Sequence, residues 1–173
     1  MHRLFMNWRS SKESDDMRHQ RGVLFEIPNG YGRFLLDMLK PVDPAGFNWL
    51  LADGECYLVQ NGELSDENLF PQEPQVLTGK AFKKRLEDER YYLIFADLKA
   101  FPRDGHPEDV STYESYMKSS CELIVLTADS SFVTIYCKDQ KKLELLYQNA
   151  KDCGFKRIEY ITDHNDARTG MHV

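Results

Sequence analysis

The sequence predicts an α+β fold in which helices pack on a mixed β-sheet. Runs rich in β-branched and aromatic residues recur along the chain, and amphipathic helical patterns separate most of them. Two closely spaced pairs of strand-like runs interrupt the alternation that a repeated βαβ unit would show. The predicted order is βαββαβ followed by αββαβ, and the first six elements match the split-βαβ order of ferredoxin-like folds.

The first predicted strand is GVLFEI at residues 22–27, which is rich in β-forming residues. The next run, residues 31–40, places its apolar residues at helical spacing and ends where Pro41 cannot continue a helix. A second helix is predicted over residues 78–89, with Thr78 as a plausible N-cap.

A hairpin is predicted within FNWLLADGECYLV, residues 47–59. Asp53-Gly54 is a preferred two-residue hairpin turn, since both central residues of such a turn adopt positive φ. The turn would place Leu51 opposite Cys56 on an apolar face, which predicts a buried cysteine.

Two strands in the second half of the chain, residues 91–98 and 121–128, are apolar on both faces. This pattern is typical of strands that are covered on both sides of a sheet. The remaining predicted elements are a helix over residues 111–119, a strand over 131–137, a helix over 139–153 and a strand over 156–162.

The domain organisation predicted from these patterns is simple. Residues 1–21 lack sustained periodicity and are expected to form a mobile N-terminal tail. Residues 22–163 are expected to form a single α+β domain, and residues 164–173 a frayed C-terminal tail.

The composition narrows the classes of partner. A formal net charge of −6 argues against nucleic acid as a ligand, because phosphate binding requires clustered Lys and Arg, and it suits a basic protein partner instead. The chain has no apolar run long enough for a membrane span and no signal-peptide core, so we expect a cytoplasmic protein without membrane contact. Its four cysteines form no CxxC pair and are expected to be free thiols.

Cys137 and Cys153 flank the most conspicuous helical pattern of the chain. Cys137 lies on the apolar side of the preceding predicted strand, and Cys153 lies on the apolar face of the predicted helix. This pattern predicts that both are buried. A helix over residues 139–153 would be about 22 Å long at about 1.5 Å per residue, so the two thiols would be too far apart for a disulfide or a shared zinc ion. We therefore interpret them as core residues.

Asp97 is the acidic residue that is most suggestive of a site. It lies near the C-terminal end of the predicted strand over residues 91–98, on the same side as Leu93 and Phe95, and sites often collect at strand ends. The alternative is a structural carboxylate that a helix N-terminus or a lysine satisfies. If the site exists, Tyr91, Tyr136 or Asp129 are expected near it.

A long acidic loop is predicted at residues 61–75, and it carries Leu64, Leu69 and Phe70. Long loops on small domains are often functional, so these three residues are candidates for partner binding. The alternative, left open, is that Leu69 and Phe70 fold back over the sheet.

Other motifs of site chemistry are weak. The segment TDHNDAR offers Asp163 and Asp166, which could hold a hard cation loosely, but a solvated turn is the preferred interpretation. The sequence contains no GxSxG, P-loop or GxGxxG motif, and we expect no cofactor and no metal.

The chain resembles an uncharacterised bacterial family, catalogued as a domain of unknown function, in the stretches FEIPN, FNW, YYLIFADL and SSFVTIYCKDQKKLELLYQNAKDCGF. The resemblance extends from Arg21 to Arg168. It implies a cytoplasmic protein of Gram-positive bacteria, and it brings no activity, ligand or catalytic residue.

These observations favour a small interaction module over an enzyme. One form of such a module is an immunity- or antitoxin-like protein that masks a basic enzyme by charge complementarity. The alternative hypothesis is a small-ligand-binding protein or enzyme with an acidic pocket around Asp97.

Overall fold

The computed structural model describes residues 19–70 and 73–173, so most of the tail predicted at residues 1–21 lies outside the described residues. The α+β class is confirmed. The strands are β1 (Gly22–Glu26), β2 (Tyr31–Gly32), β3 (Phe47–Leu51), β4 (Glu55–Gln60), β5 (Glu63–Asn68), β6 (Gln75–Thr78), β7 (Arg90–Pro102), β8 (Leu123–Ala128), β9 (Phe132–Cys137) and β10 (Lys156–Ile161). The helices are α1 (Phe34–Leu39), α2 (Gly79–Asp88), α3 (Tyr113–Lys118) and α4 (Gln140–Asp152).

The strands form one sheet around the long strand β7. The main path of the sheet is β10-β1-β9-β8-β7-β3-β6, while β2 and β4 pair with the N-terminal part of β7 and β5 pairs with β4. All of these pairings are antiparallel, whereas a mixed sheet would also contain parallel pairs. The first half of the chain is not ferredoxin-like, because β1 pairs with β9 and β10 from the second half.

The hairpin predicted at Asp53-Gly54 is wrong. Strands β3 and β4 lie end to end along β7, with Leu51 paired to Leu98 and Glu55 paired to Phe95. The two-residue turn instead joins β4 to β5.

At that turn, Asn61 and Gly62 both have positive φ, 53° and 79°. These values suit the mirror-image turns that hairpins prefer. The sequence contains two equally suitable dipeptides, and β7 is long enough to pair with both β3 and β4, which makes a turn between them unnecessary.

The segment predicted as a long acidic loop is mostly built into the sheet. Residues 63–68 form β5 and residues 75–78 form β6, each at an edge. Leu69 and Phe70 are buried in the core, as in the alternative left open by the sequence, whereas Leu64 remains 45% exposed.

The sheet has a core on each face. The larger cluster packs beneath α1, α2 and α4 and includes Trp49, Phe82 and Leu146. The smaller cluster lies on the second face, around Tyr116 of α3 and Met171. Thr78 caps α2 as predicted, and Asp139 caps α4, since each side-chain oxygen accepts backbone N–H groups of the first helical turn.

Residues 164–173, here called the C-terminal segment, are not a frayed tail. Met171 is fully buried in the second core. Tyr136 Oη donates to Asp166 Oδ1 at 3.0 Å, and Arg21 Nη1 lies 3.3 Å from Asp166 Oδ2. A short segment without periodicity can thus be fixed by one apolar anchor and a few polar contacts, which sequence patterns do not reveal.

The two cysteines around α4 differ in environment. Cys137 is buried, as predicted, and burial raises the pKa of its thiol to about 12. Cys153 is exposed, so its predicted burial is wrong. The helix ends at Asp152, and Cys153 is the C-cap residue, beyond the last buried position Ala150. Among the described residues, no helix has the length and apolar character needed to cross a membrane.

Candidate functional site

Asp97 lies on β7, but on the opposite face of the sheet from the one predicted. The sequence pattern places it on the side of Leu93 and Phe95. In the structure Leu93 and Leu98 both belong to the larger core, and the carboxylate of Asp97 points to the second face.

An irregularity in β7 causes this inversion. Cys56 pairs with Leu93, and the preceding residue Glu55 pairs with Phe95, so Ile94 is an extra residue in the strand. A bulge of this kind shifts the alternation of side chains by one residue and sends the following positions to the other face.

A buried ion pair joins Asp97 to Lys99, two residues further along the same strand. The distance from Lys99 Nζ to Asp97 Oδ1 is 2.6 Å, and the two side chains are only 1% and 5% exposed. Residues at i and i+2 of a strand share a face, which brings the two charges together. Burial of either charge alone would be costly in free energy. Asp97 can therefore lie in apolar surroundings only because Lys99 is paired with it.

His172 links this pair to the surface. Its Nδ1 lies 2.8 Å from Asp97 Oδ2 and its Nε2 lies 3.6 Å from Asp109 Oδ1. Because Asp97 Oδ2 is an acceptor, Nδ1 is assigned as the protonated nitrogen that donates to it. Lys99 Nζ lies 3.5 Å from the same ring nitrogen, which as a donor cannot also accept the lysine proton.

The neighbouring residues of the C-terminal segment hold His172 in place. The backbone N–H of Met171 donates to the carbonyl of Ser111 at 3.0 Å, and the Met171 side chain fills the second core. Arg168 Nη1 donates to the carbonyl of His172 at 2.8 Å. The imidazole itself is 41% exposed, so it covers the ion pair from the solvent side.

A cleft of about 530 Å³ opens above these groups. Four of the described lining residues have carboxylate side chains (Asp53, Asp97, Glu108 and Asp109). His172 contributes its imidazole, and the other five have apolar side chains. Among the residues that the structure describes, no lysine or arginine belongs to the lining. The cleft therefore combines apolar walls with an excess of negative charge.

The other residues expected beside Asp97 lie elsewhere. Tyr91 is buried in the larger core and accepts the backbone N–H of Leu36, and burial raises its pKa. Tyr136 bonds to Asp166, and neither it nor Asp129 lines the cleft.

The sequence interpretation missed Lys99, Asp109 and His172. A lysine two residues after an aspartate, inside a strand that is apolar on both faces, is a signal of a buried pair that could have been used. Nothing in the sequence around Asp109 or His172 indicates their approach, because it depends on how two irregular segments dock.

Metal binding by the TDHNDAR segment receives no support from the geometry. Asp163 Oδ1 lies 2.6 Å from Arg21 Nε, and Asp166 also pairs with Arg21. Within residues 19–70 and 73–173, no group of three or more His, Cys, Asp or Glu side chains is arranged to hold a metal ion.

Comparison with known proteins gives a family without an assigned activity. The model of a family described as "Protein of unknown function (DUF2691)" matches residues 20–172. The chain is 46% identical to "Uncharacterized protein YncE" of Bacillus subtilis (strain 168) over 153 residues, which is 88% of this chain and 99% of that protein. No solved structure matches.

Proposed function

The chain belongs to the DUF2691 family of proteins of unknown function, and on that premise we propose that it is a binding protein whose cleft above β7 receives a positively charged group. The resemblance to an uncharacterised bacterial family, predicted from sequence, is confirmed. A binding role for this cleft corresponds to the alternative hypothesis from sequence, an acidic pocket around Asp97.

The observation that carries the proposal is the charge balance of the cleft. Lys99 is the cation beneath the cleft, and its Nζ lies 2.6 Å from Asp97 Oδ1 but 4.0 Å from Asp109 Oδ1. Within residues 19–70 and 73–173, no lysine or arginine lines the cleft beside Asp53, Glu108 or Asp109 to neutralise them. Carboxylates set in apolar walls focus a negative potential into the cleft. A ligand that carries an ammonium or guanidinium group would match this potential.

The size of the cleft limits the ligand. A volume of about 530 Å³ is in the range of small-molecule sites, about 300–1,000 Å³. The cleft therefore suits a small amine, or one lysine or arginine side chain of a basic partner. Both sources present the same chemistry.

Calorimetric titration with n-butylammonium chloride tests this proposal, with sodium butyrate as the oppositely charged control. We expect binding of the cation only. Asp109→Asn should weaken it about fivefold, because one charge at about 4 Å in a water-like dielectric contributes about 1 kcal/mol. Glu144→Gln, on α4 at the other face of the sheet, should leave the affinity unchanged.

Two further arms separate the sources of the charged group. N-acetyl-lysine amide should bind like butylammonium if a single side chain suffices. A longer lysine-glycine peptide should bind more tightly only if a basic partner makes contacts outside the cleft. Absence of binding by all three cations would refute the proposal.

A second candidate function is the binding of a basic protein, the leading hypothesis from sequence, including its immunity- or antitoxin-like form. The acidic edge strand β5 favours it, since Glu63, Asp66 and Glu67 are exposed there beside the half-exposed Leu64. Among the described strands β5 pairs with β4 alone, so its outer edge is open to a partner of opposite charge.

Co-purification from the native cell at low and high salt tests this second candidate. A genuine partner should be retained at low salt, be released at high salt, and be lost from a variant with Glu63, Asp66 and Glu67 changed to amides. Retention of the same protein by that variant would exclude β5 as its binding surface.

A further inference from the structure

We infer that the charged group of the ligand is a planar guanidinium or amidinium that binds at Asp97 by displacing the imidazole of His172, so that the C-terminal segment is a built-in competitor for the cleft. This inference rests on the proposed function and names the ligand class and the control of the same site.

Asp97 is the buried hydrogen-bond acceptor of the cleft, and the Lys99 ammonium balances its charge at 2.6 Å. Of the described residues that line the cleft it is the one that is buried, whereas Asp53, Glu108 and Asp109 are exposed at the rim. Because Lys99 balances Asp97, the attraction for a cation comes from the carboxylates of the rim, and Asp97 Oδ2 offers the charge-assisted hydrogen bond that orients the N–H groups of the ligand.

Both oxygens of that carboxylate are already occupied. Lys99 Nζ lies 2.6 Å from Oδ1, and His172 Nδ1 lies 2.8 Å from Oδ2. Lys99 is on the same strand, is buried and cannot leave without exposing the core. His172 is on the solvent side and 41% exposed, which makes it the partner that a ligand could replace.

The imidazole shows what shape of ligand fits. One flat ring places Nδ1 at Asp97 and Nε2 near Asp109, at 2.8 and 3.6 Å. The two outer nitrogens of a guanidinium or amidinium have about the same spacing as the two ring nitrogens, and each carries N–H donors. Such a group can donate to Asp97 from one nitrogen while a second nitrogen with its own N–H donors faces Asp109, whereas an ammonium presents a single nitrogen.

The displacement can remain local. Met171 is anchored in the second core and by its N–H bond to Ser111, so the segment stays docked when the neighbouring side chain swings out. What is broken is the bond from His172 to Asp97, and the bond from Arg168 Nη1 to the His172 carbonyl can persist.

The test is titration of the whole chain with methylguanidinium chloride and with n-butylammonium chloride. In the unaltered protein, methylguanidinium should bind more tightly than butylammonium, and the ring signals of His172 should shift on binding in nuclear magnetic resonance spectra. In His172→Ala, methylguanidinium should bind about tenfold more tightly, because its competitor is gone. His164→Ala, an exposed histidine of the same segment that lies outside the cleft, should match the unaltered protein.

His172→Gln tests whether a donor to Asp97 is what competes with the ligand. It keeps an N–H donor that can reach Asp97. An affinity between those of the unaltered protein and His172→Ala supports competition for Asp97, whereas equality with His172→Ala shows that a donor at Asp97 does not limit binding and overturns the inference. Urea unfolding of each variant verifies that it is folded.

The two proposals fail in different ways. If neither cation binds any of the folded variants, the proposed function itself is wrong. If both cations bind the unaltered protein but His172→Ala binds them equally well or more weakly, the proposed function stands, and His172 is part of the binding surface instead of its competitor.

Discussion

Replacement of Lys99 by Met is the most direct test of the buried ion pair on β7. The substitution keeps most of the apolar stem and removes the ammonium, so the Asp97 side chain, only 5% exposed, keeps His172 as its remaining partner. Removal of one member of a buried pair costs about 3–5 kcal/mol, because the other charge is left uncompensated. We expect a loss of free energy of unfolding in this range.

Urea unfolding with linear extrapolation measures the loss, and a second lysine provides the control. Lys84 and Asp88 form a pair with a comparable distance, 2.7 Å, but their side chains are 74% and 52% exposed. Lys84→Met removes the same charge and should shift the unfolding midpoint little, since exposed ion pairs contribute little to stability.

The double variant Asp97→Leu/Lys99→Met completes the comparison. It replaces the pair by apolar side chains and should be more stable than Lys99→Met alone, because no unpaired charge remains in the core. The reasoning is refuted if Lys99→Met loses no more stability than Lys84→Met, or if the double variant is less stable than the single one.

The cysteines, a turn and a buried phenol provide three further tests. Thiol labelling of the native protein should modify Cys153 rapidly and Cys137 only on unfolding, and Cys153→Ser should abolish the rapid phase. Gly62→Ala should cost ~1–2 kcal/mol in urea unfolding because φ is 79° there, whereas Gly46→Ala, where a Cβ meets open space and φ is not positive, should cause no loss. Burial and the carboxylate of Asp166, to which the phenol donates a hydrogen bond, raise the pKa of Tyr136 above its ordinary value of 10.0. The folded state then holds the phenolic proton that the unfolded chain releases, so stability should fall as the pH rises above about 10, with a smaller slope in Tyr136→Phe.

Local patterns were sufficient to predict the secondary structure of most of the chain, because caps and apolar periodicity are properties of neighbouring residues. The helix cap at Thr78 and the strand GVLFEI are examples. The edge strands β5 and β6 were missed because exposed, acidic residues such as Glu63 carry no burial pattern. A strand of this kind exists only because its neighbour in the sheet offers hydrogen-bonding partners.

Pairing between distant segments could not be predicted from such patterns. Asp53-Gly54 satisfies the rule for a hairpin turn as well as Asn61-Gly62 does, and the choice between them depends on the length of β7. The side on which Asp97 faces depends on one bulged residue. The approach of His172 depends on the burial of Met171, at a distant point of the fold.

The position of β1 between β9 and β10 has a consequence for biosynthesis. Gly22 pairs with both Tyr136 and Ile161, so β1 finds its two neighbours only after about 140 further residues have been translated. Until then its unpaired backbone is available for wrong associations, and closure of so long a loop makes correct assembly slow. We therefore expect nascent chains that stop before β10 to depend on chaperones.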